Sequence, residues 1–327
     1  MSDKIKYTDL LRNKLLQQKE VYENFKNNKC PSVCYKRYED AEWGVRDENY
    51  QNRLRLSYYM LYEKIDDEKV SAALFEEELK DRETNDFQGI GDTITILTQF
   101  LKKYNTDGKY TPLFERAKEA NFDCCCGYDV DNVIDDNIEN NDIRDCIYLA
   151  KAMDYMDIME ELVEYWKQTE TEWNRHNAYD LIHFNEVLNK QKDNEEIYKQ
   201  LLLSVDKENV RDTASAYSNI IGYYIKIEDY KTAYKYLTEL LGGYNLDEIK
   251  NIRLYDYILE YGLEIIANAP EFSNELWNWA KPELQNKKDG MFGNLYKKGI
   301  KAAKAVNDPY SQKLEKEYIA WKKKVGI

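Results

Sequence analysis

The sequence predicts an all-α protein built from antiparallel helical hairpins, and three observations predict it. Apolar residues recur at steps of three and four along most of the chain. Short polar joints separate these stretches. Over the C-terminal part, a tyrosine followed three residues later by an isoleucine returns at a fixed interval, which marks a repeated unit.

Taken in order, the first clear stripe is Tyr58, Leu61, Tyr62 and Ile65, followed by Ile94, Leu97, Phe100, Leu101 and Tyr104. Met156, Met159, Leu162, Val163 and Trp166 form a third, and Tyr230, Ala233, Tyr234, Leu237, Leu240 and Leu241 a fourth. Tyr310, Leu314, Tyr318, Trp321 and Val325 close the series. Each stripe places its apolar groups on one side of a helix. Between them lie joints such as Asn105–Gly108, Lys192–Asn194, Gly242–Gly243 and Lys288–Gly290, short enough to make neighbouring helices antiparallel. The five prolines (Pro31, Pro112, Pro270, Pro282, Pro309) all sit where helix edges are expected, so long helices stay unbroken. Nowhere do apolar and polar residues alternate for long enough to predict a half-buried strand.

Tyr179, Tyr217 and Tyr255 are spaced 38 residues apart, and Ile182, Ile220 and Ile258 follow them. Tyr148 and Tyr296 start looser copies. One helix-turn-helix unit with its joints accounts for such a period. The fullest unit runs from Ala214 to Asn245, where Tyr217, Ile220, Tyr224, Tyr230, Ala233 and Leu237 stand at the spacing of the large and small positions of a tetratricopeptide repeat. The chain resembles that helical repeat superfamily, closely over this unit and more loosely over residues 141–325. It departs from the pattern at Ile221, Leu240 and Asn245, where the family has Gly, Ala and often Pro. The resemblance implies a right-handed α-solenoid of hairpins in about 38-residue repeats, each sheltering the apolar face of the next, with a concave groove lined by first helices.

By the same resemblance, the groove-facing positions are Ser215, Ser218, Asn219 and Gly222. Shifting by the repeat gives Asn177, Asp180, Leu181 and Phe184 before them, and Arg253, Asp256, Tyr257 and Glu260 after. Polar groups with a few aromatic rings suit a peptide-binding face; a plain solvated face would look similar.

Composition narrows the function. Apolar residues at 43% and charged residues at 33% place the chain with globular proteins, and 29 tyrosines supply large rings that keep one polar atom for partly wet helix interfaces. The net charge of −14 disfavours nucleic acid and anionic membranes and favours basic partners. From Lys281 onward, 12 lysines face five acids, a net +7 that leaves −21 on residues 1–280. The basic end reads as a solubilising cap, and it is expected to dock on the acidic middle of a second copy in a salt-dependent way. The charged N-terminus and the lack of an apolar run of membrane-spanning length point to the cytoplasm, where Cys30, Cys34, Cys124–Cys126 and Cys146 stay reduced.

Three groups of residues invite a chemical reading. His176, Asp180 and His183 fall on one helical face, yet two histidines and one carboxylate without a second anchor make a weak metal signature. The cysteines lack the paired spacing of a zinc module, which favours a buried thiol cluster in a joint. Residues 129–145 hold seven acids and one base; Ile134 and Asn140 stand where a calcium loop needs Gly and Glu, so the stretch reads as a solvated acidic connector or a patch for a basic protein.

The expected organisation is therefore N-terminal helical hairpins over residues 1–128, the acidic connector over 129–145, and tetratricopeptide-like repeats with a basic cap over 146–327. The expected function is non-catalytic: a cofactor-free protein-protein interaction protein that takes a peptide or a basic protein in its groove. An immunity or antitoxin-like inhibitor is its specific form. The alternative is a metal-dependent enzyme or sensor using the His176, Asp180, His183 face or the cysteines.

Overall fold

The five apolar stripes fall in helices of the computed structural model apart from their end members Ile65 and Tyr104, which lie just beyond helix ends; the structure describes residues 6–41, 44–84, 89–251, 254–287 and 291–326. The chain divides into two compact units, Met1–Glu172 and Trp173–Ile327. The division falls after the acidic stretch 129–145 and after the pair of helices that follows it, both of which belong to the first unit.

The first unit contains α1 (Tyr7–Leu15), α2 (Gln18–Lys26), a hairpin of β1 (Arg37–Asp40) and β2 (Gly44–Asp47), α3 (Tyr50–Tyr62), α4 (Glu68–Thr84), α5 (Asp92–Lys102), α6 (Thr111–Glu119), α7 (Phe122–Gly127), α8 (Ile143–Ala152) and α9 (Met156–Thr169). The antiparallel hairpin pairs Arg37 with Asp47 and Asp40 with Gly44. Its strands are short and their outer positions charged, so the alternation that announces a strand never develops. Leu56, Met60, Leu74, Phe75, Leu79, Ile94 and Leu97 build the core where α3, α4 and α5 meet.

At the edge of that core lies a buried ion network. Arg53 of α3 reaches Asp47 of β2 at 2.5 Å and Glu78 of α4 at 3.0 Å; Arg82 bonds Glu78 and Asp81 at 2.9 Å each. Asp47 also accepts from the main-chain N–H groups of Lys36 (2.8 Å) and Asn49 (3.0 Å), which ties the β-hairpin to the helices. Three carboxylates share two guanidiniums here. Burial and the neighbouring charge of Glu78 and Asp47 push the Asp81 carboxyl up to about 6, against the opposing pull of Arg82 and Arg53.

The acidic stretch is largely exposed and partly neutralised within this unit. Lys6 pairs with Glu139, Lys102 with Asp131, and Lys64 stands 3.7 Å from Asp136. Ile138 is buried, Asn141 donates to the Tyr62 hydroxyl at 3.1 Å, and Asp142 and Asp145 form the capping box of α8.

The second unit consists of α10 (Arg175–Val187), α11 (Asn194–Ser204), α12 (Val210–Lys226), α13 (Tyr230–Gly243), the short α14 (Leu246–Lys250), α15 (Tyr255–Asn268), α16 (Pro270–Asn286), α17 (Gly293–Ala305) and α18 (Tyr310–Val325). The helices pair as α10–α11, α12–α13, α15–α16 and α17–α18, and the second helix of each pair touches the first helix of the next. First helices also touch one another, α12 with α15 and α15 with α17. Ile182, Ile220 and Ile258, each three residues after a recurring tyrosine, are all buried. At Gly262 of α15, a Cβ would come within 2.4 Å of the Trp279 ring, so glycine sets how closely α15 and α16 approach. Asp308, before α18, accepts from Trp277 (2.8 Å) and Lys281 (2.7 Å) of α16; these bonds hold its carboxyl down to about 2 and fasten the last hairpin to the one before.

Pro31, Pro112, Pro270 and Pro309 occupy helix starts, but Pro282 lies inside α16, contrary to expectation. It stands one turn from the helix end, and the main-chain donor it removes would have met the carbonyl of Asn278, an exposed position where water can substitute. Of the expected joints, Asn105–Gly108 and Lys192–Asn194 separate helices, Gly242 and Gly243 form the last turn of α13, and Lys288–Gly290 lies outside the described residues. Other joints turn without glycine. Asn28, Lys64, Asp154, Asn189, Glu228 and Asn307 each stand two residues beyond a helix with φ between 52° and 62°. After each, the next N–H reaches back into the helix, as Asp229 does to the Tyr224 carbonyl at 2.9 Å and Asp308 to that of Ala303 at 2.8 Å.

Two exchanges of glycine test this packing. Glu228→Gly should raise the stability of the full chain by about 0.5–1 kcal/mol by relieving the left-handed backbone. Gly262→Ala should lower it by about 1–2 kcal/mol, although alanine favours the helix, because Trp279 must move. Thermal and urea unfolding read both.

Asp81→Asn tests the ion network. A carboxyl whose pKa is raised on folding loses stability as pH rises from about 4, its unfolded value, to about 6. The variant should therefore exceed the parent by on the order of 2 kcal/mol above pH 6, with the difference gone near pH 4. Unfolding measured on both proteins across that range checks the sign.

Candidate interaction surface

The first helices of the second unit meet through polar side chains rather than through apolar contacts alone. Asn219 of α12 donates to the Tyr179 hydroxyl of α10 at 2.8 Å. Tyr261 of α15 comes beside the buried Ser218 and lies over Gly222, where a Cβ would meet its hydroxyl at 2.7 Å. Lys298 of α17 reaches back to Glu260 at 3.3 Å and Glu264 at 3.8 Å. Successive first helices are thus stitched side by side, and the stitching residues are among those the repeat placed on the groove.

Two adjoining hollows open on these helices. The first, about 900 Å3, is lined by Arg175, Arg211, Asp212, Ser215, Asn251 and Leu254. Arg175 stands 3.5 Å from Asp212 across it. The second, about 1050 Å3, shares Asn251 and is lined by Asp256, Tyr257 and Glu260 of α15, by Phe292, Gly293 and Lys297 at the start of α17, and by Tyr318 and Trp321 of α18. Tyr257 is 56% exposed and Phe292 67%. The Trp321 ring lies against Gly293, about 3.0 Å from where a Cβ would be, and stacks on Tyr318 with centroids 5.9 Å apart. Lys287 pairs with Asp256 at the rim.

Of the residues chosen from the sequence, Ser215, Asp256, Tyr257 and Glu260 line these hollows. Asn219 is half-buried and spent on Tyr179, and Asp180 is half-buried with His176 3.5 Å away. Asn177, Ser218 and the wholly buried Phe184 do not face solvent, which corrects their placement on an open groove. The physical reason is that α10 and α12 approach their neighbours through these positions. Arg253 lies outside the described residues. Phe292, Lys297 and Trp321 escaped the sequence reading. Trp321 and Val325 had been assigned to the buried stripe of α18, but that stripe leaves the core after Leu314, and Val325 ends exposed.

The chemical candidates scatter. His183 packs its ring beside Phe184 at 6.1 Å, away from a shared center with His176. All six cysteines are free thiols; Cys124 and Cys146 are buried, and burial pushes Cys146 up to about 12, whereas Cys125 and Cys126 are exposed, so the run is not the buried cluster expected. Among the described residues, no three His, Cys, Asp or Glu side chains converge as a metal site, and no helix is long and apolar enough to cross a membrane. The chain matches no family model, no curated protein and no solved structure.

If the exposed rings serve contact rather than folding, Tyr257→Ala and Phe292→Ala should each change stability by no more than about 0.5 kcal/mol. Trp321→Ala, which removes the ring from Gly293 and Tyr318, should cost about 2 kcal/mol. Urea unfolding of the three variants separates the two roles.

Proposed function

We propose that this chain is a non-catalytic interaction protein whose second unit is a tetratricopeptide-like α-solenoid, and that its first-helix face receives a peptide or a basic protein. The pairing of α10–α11, α12–α13, α15–α16 and α17–α18, with each second helix on the next first helix, supports the repeat reading. The observation that carries the binding reading is that Ser215, Asp256, Tyr257 and Glu260, chosen by repeat position alone, line two adjoining hollows, the first polar and the second lined by the exposed rings of Tyr257 and Phe292. Exposed tyrosine and tryptophan offer contact area with little rotamer entropy to lose, which favours them as anchors. The charge of residues 1–280 favours a basic protein at long range, and an inhibitor that covers a basic effector, in the manner of immunity proteins or antitoxins, is the form this charge supports. A cytoplasmic setting agrees with the free thiols. No specific observation favours the metal-dependent alternative.

An arrayed peptide library probed with the full chain tests the proposal. Peptides that bind should lose at least about tenfold in affinity, about 1.4 kcal/mol, on Tyr257→Ala or Ser215→Arg, and should be indifferent to Lys231→Ala on the exposed side of α13. Binding that ignores both hollow substitutions, or a library in which nothing binds, contradicts it.

A further inference from the structure

The second hollow is one side of a ridge. Behind Phe292 and Trp321 lies a third hollow of about 700 Å3, between α16, α17 and α18, which shares Phe292, Trp321 and Lys287 with the second and adds Met291, Tyr296 and Lys324. Two large rings therefore stand between two depressions, with Tyr296 and Tyr318 stacked beneath at 5.7 Å. A ridge of this form suits a segment that straddles it and places a bulky apolar side chain in a depression.

The charge around the ridge decides what that segment is. Three carboxylates line the two depressions, and each has a lysine partner: Asp256 with Lys287, Glu260 with Lys298, and Glu317 with Lys313 at 3.8 Å. Lys250 is likewise taken by Glu283 at 2.8 Å. Lys297 and Lys324, one on each side of the ridge, are exposed and have no carboxylate partner among the described residues. The uncompensated charge at the ridge is positive, although the chain as a whole carries −14. A carboxylate brought there meets an ammonium group without breaking an existing pair, whereas a cation meets only carboxylates already satisfied.

We infer that the Phe292–Trp321 ridge binds an acidic segment of a partner protein, seating a bulky apolar side chain beside Trp321 and carboxylates on Lys297 and Lys324. This rests on the interaction reading above and names the partner chemistry at one part of it.

The test uses the full chain and three fluorescein-labelled peptides: one alternating Glu with Leu and Phe, its counterpart with Lys for Glu, and one with Ser for Leu and Phe. Fluorescence anisotropy should show the acidic apolar peptide binding at least about tenfold more tightly than either of the others, and weakening between about 50 mM and about 500 mM salt. Trp321→Ala and the double variant Lys297→Glu, Lys324→Glu should each abolish that preference, with Lys231→Glu as the unaffected control; circular dichroism and unfolding confirm that the variants are folded. Equal or tighter binding of the lysine peptide overturns the inference, and if that binding still depends on Tyr257 the interaction reading survives it. No binding of the acidic peptide, or binding indifferent to the ridge variants, overturns the inference too. A salt-sensitive dimer of the full chain that Trp321→Ala dissolves, with no peptide preference, assigns the ridge to a second copy instead.

Discussion

The second unit depends on the burial of one helix. α15 turns Tyr255, Ile258, Leu259, Leu263, Ile265 and Ile266 inward, and it is touched by α12, α13, α16 and α17, so little of it is left to water. A helix apolar on so much of its circumference is unstable alone and can only be covered by neighbours on several sides at once. Close approach on those sides requires small residues where large ones arrive: Gly262 beneath Trp279, and Gly222 beneath Tyr261. Large-on-small contacts of this kind fix the spacing of the helices, and the spacing in turn opens the hollows where the first helices begin. The proposed binding face follows from how α15 is buried.

That logic explains which features were legible in the sequence. Apolar stripes report one-sided burial, and each stripe read this way falls in a helix but for the end members Ile65 and Tyr104. The 38-residue recurrence of tyrosine and isoleucine marks buried isoleucines in three successive first helices. Among the positions that the fixed shift assigns to a groove, Ser215, Asp256, Tyr257 and Glu260 line hollows whereas Ser218 and Phe184 are buried, because an alignment by fixed shift carries spacing but not contacts. Ser218 is buried beside Tyr261, and Phe184 is wholly buried.

What the sequence hid has equally physical causes. A left-handed joint is expected at glycine, yet Lys64 and Glu228 adopt it, because the returning hydrogen bonds and the packing of the hairpin outweigh a local cost of about 1 kcal/mol. The β-hairpin has too few residues for a period to show, and it is held from outside by Asp47, whose partner Arg53 is six residues away in sequence but belongs to a network completed by α4. Charge was the most deceptive signal. The acidic run at 129–145 looks like a free patch, but Lys6, Lys64 and Lys102 come to it from distant parts of the chain.

The same distinction separates encounter from contact. Long-range fields follow net charge, and a chain of −14 draws basic partners whatever its grooves contain. At contact distance only charge left unpaired counts, because a compensated pair presents little field beyond its own dimensions and is screened within about 8 Å at physiological salt. Around Phe292 and Trp321 the carboxylates are compensated and two lysines are not, so the local sign is opposite to the global one. A surface of this kind selects twice, first by the charge of the whole partner and then by the charge of the segment that reaches the ridge, and only a partner with both features satisfies each stage.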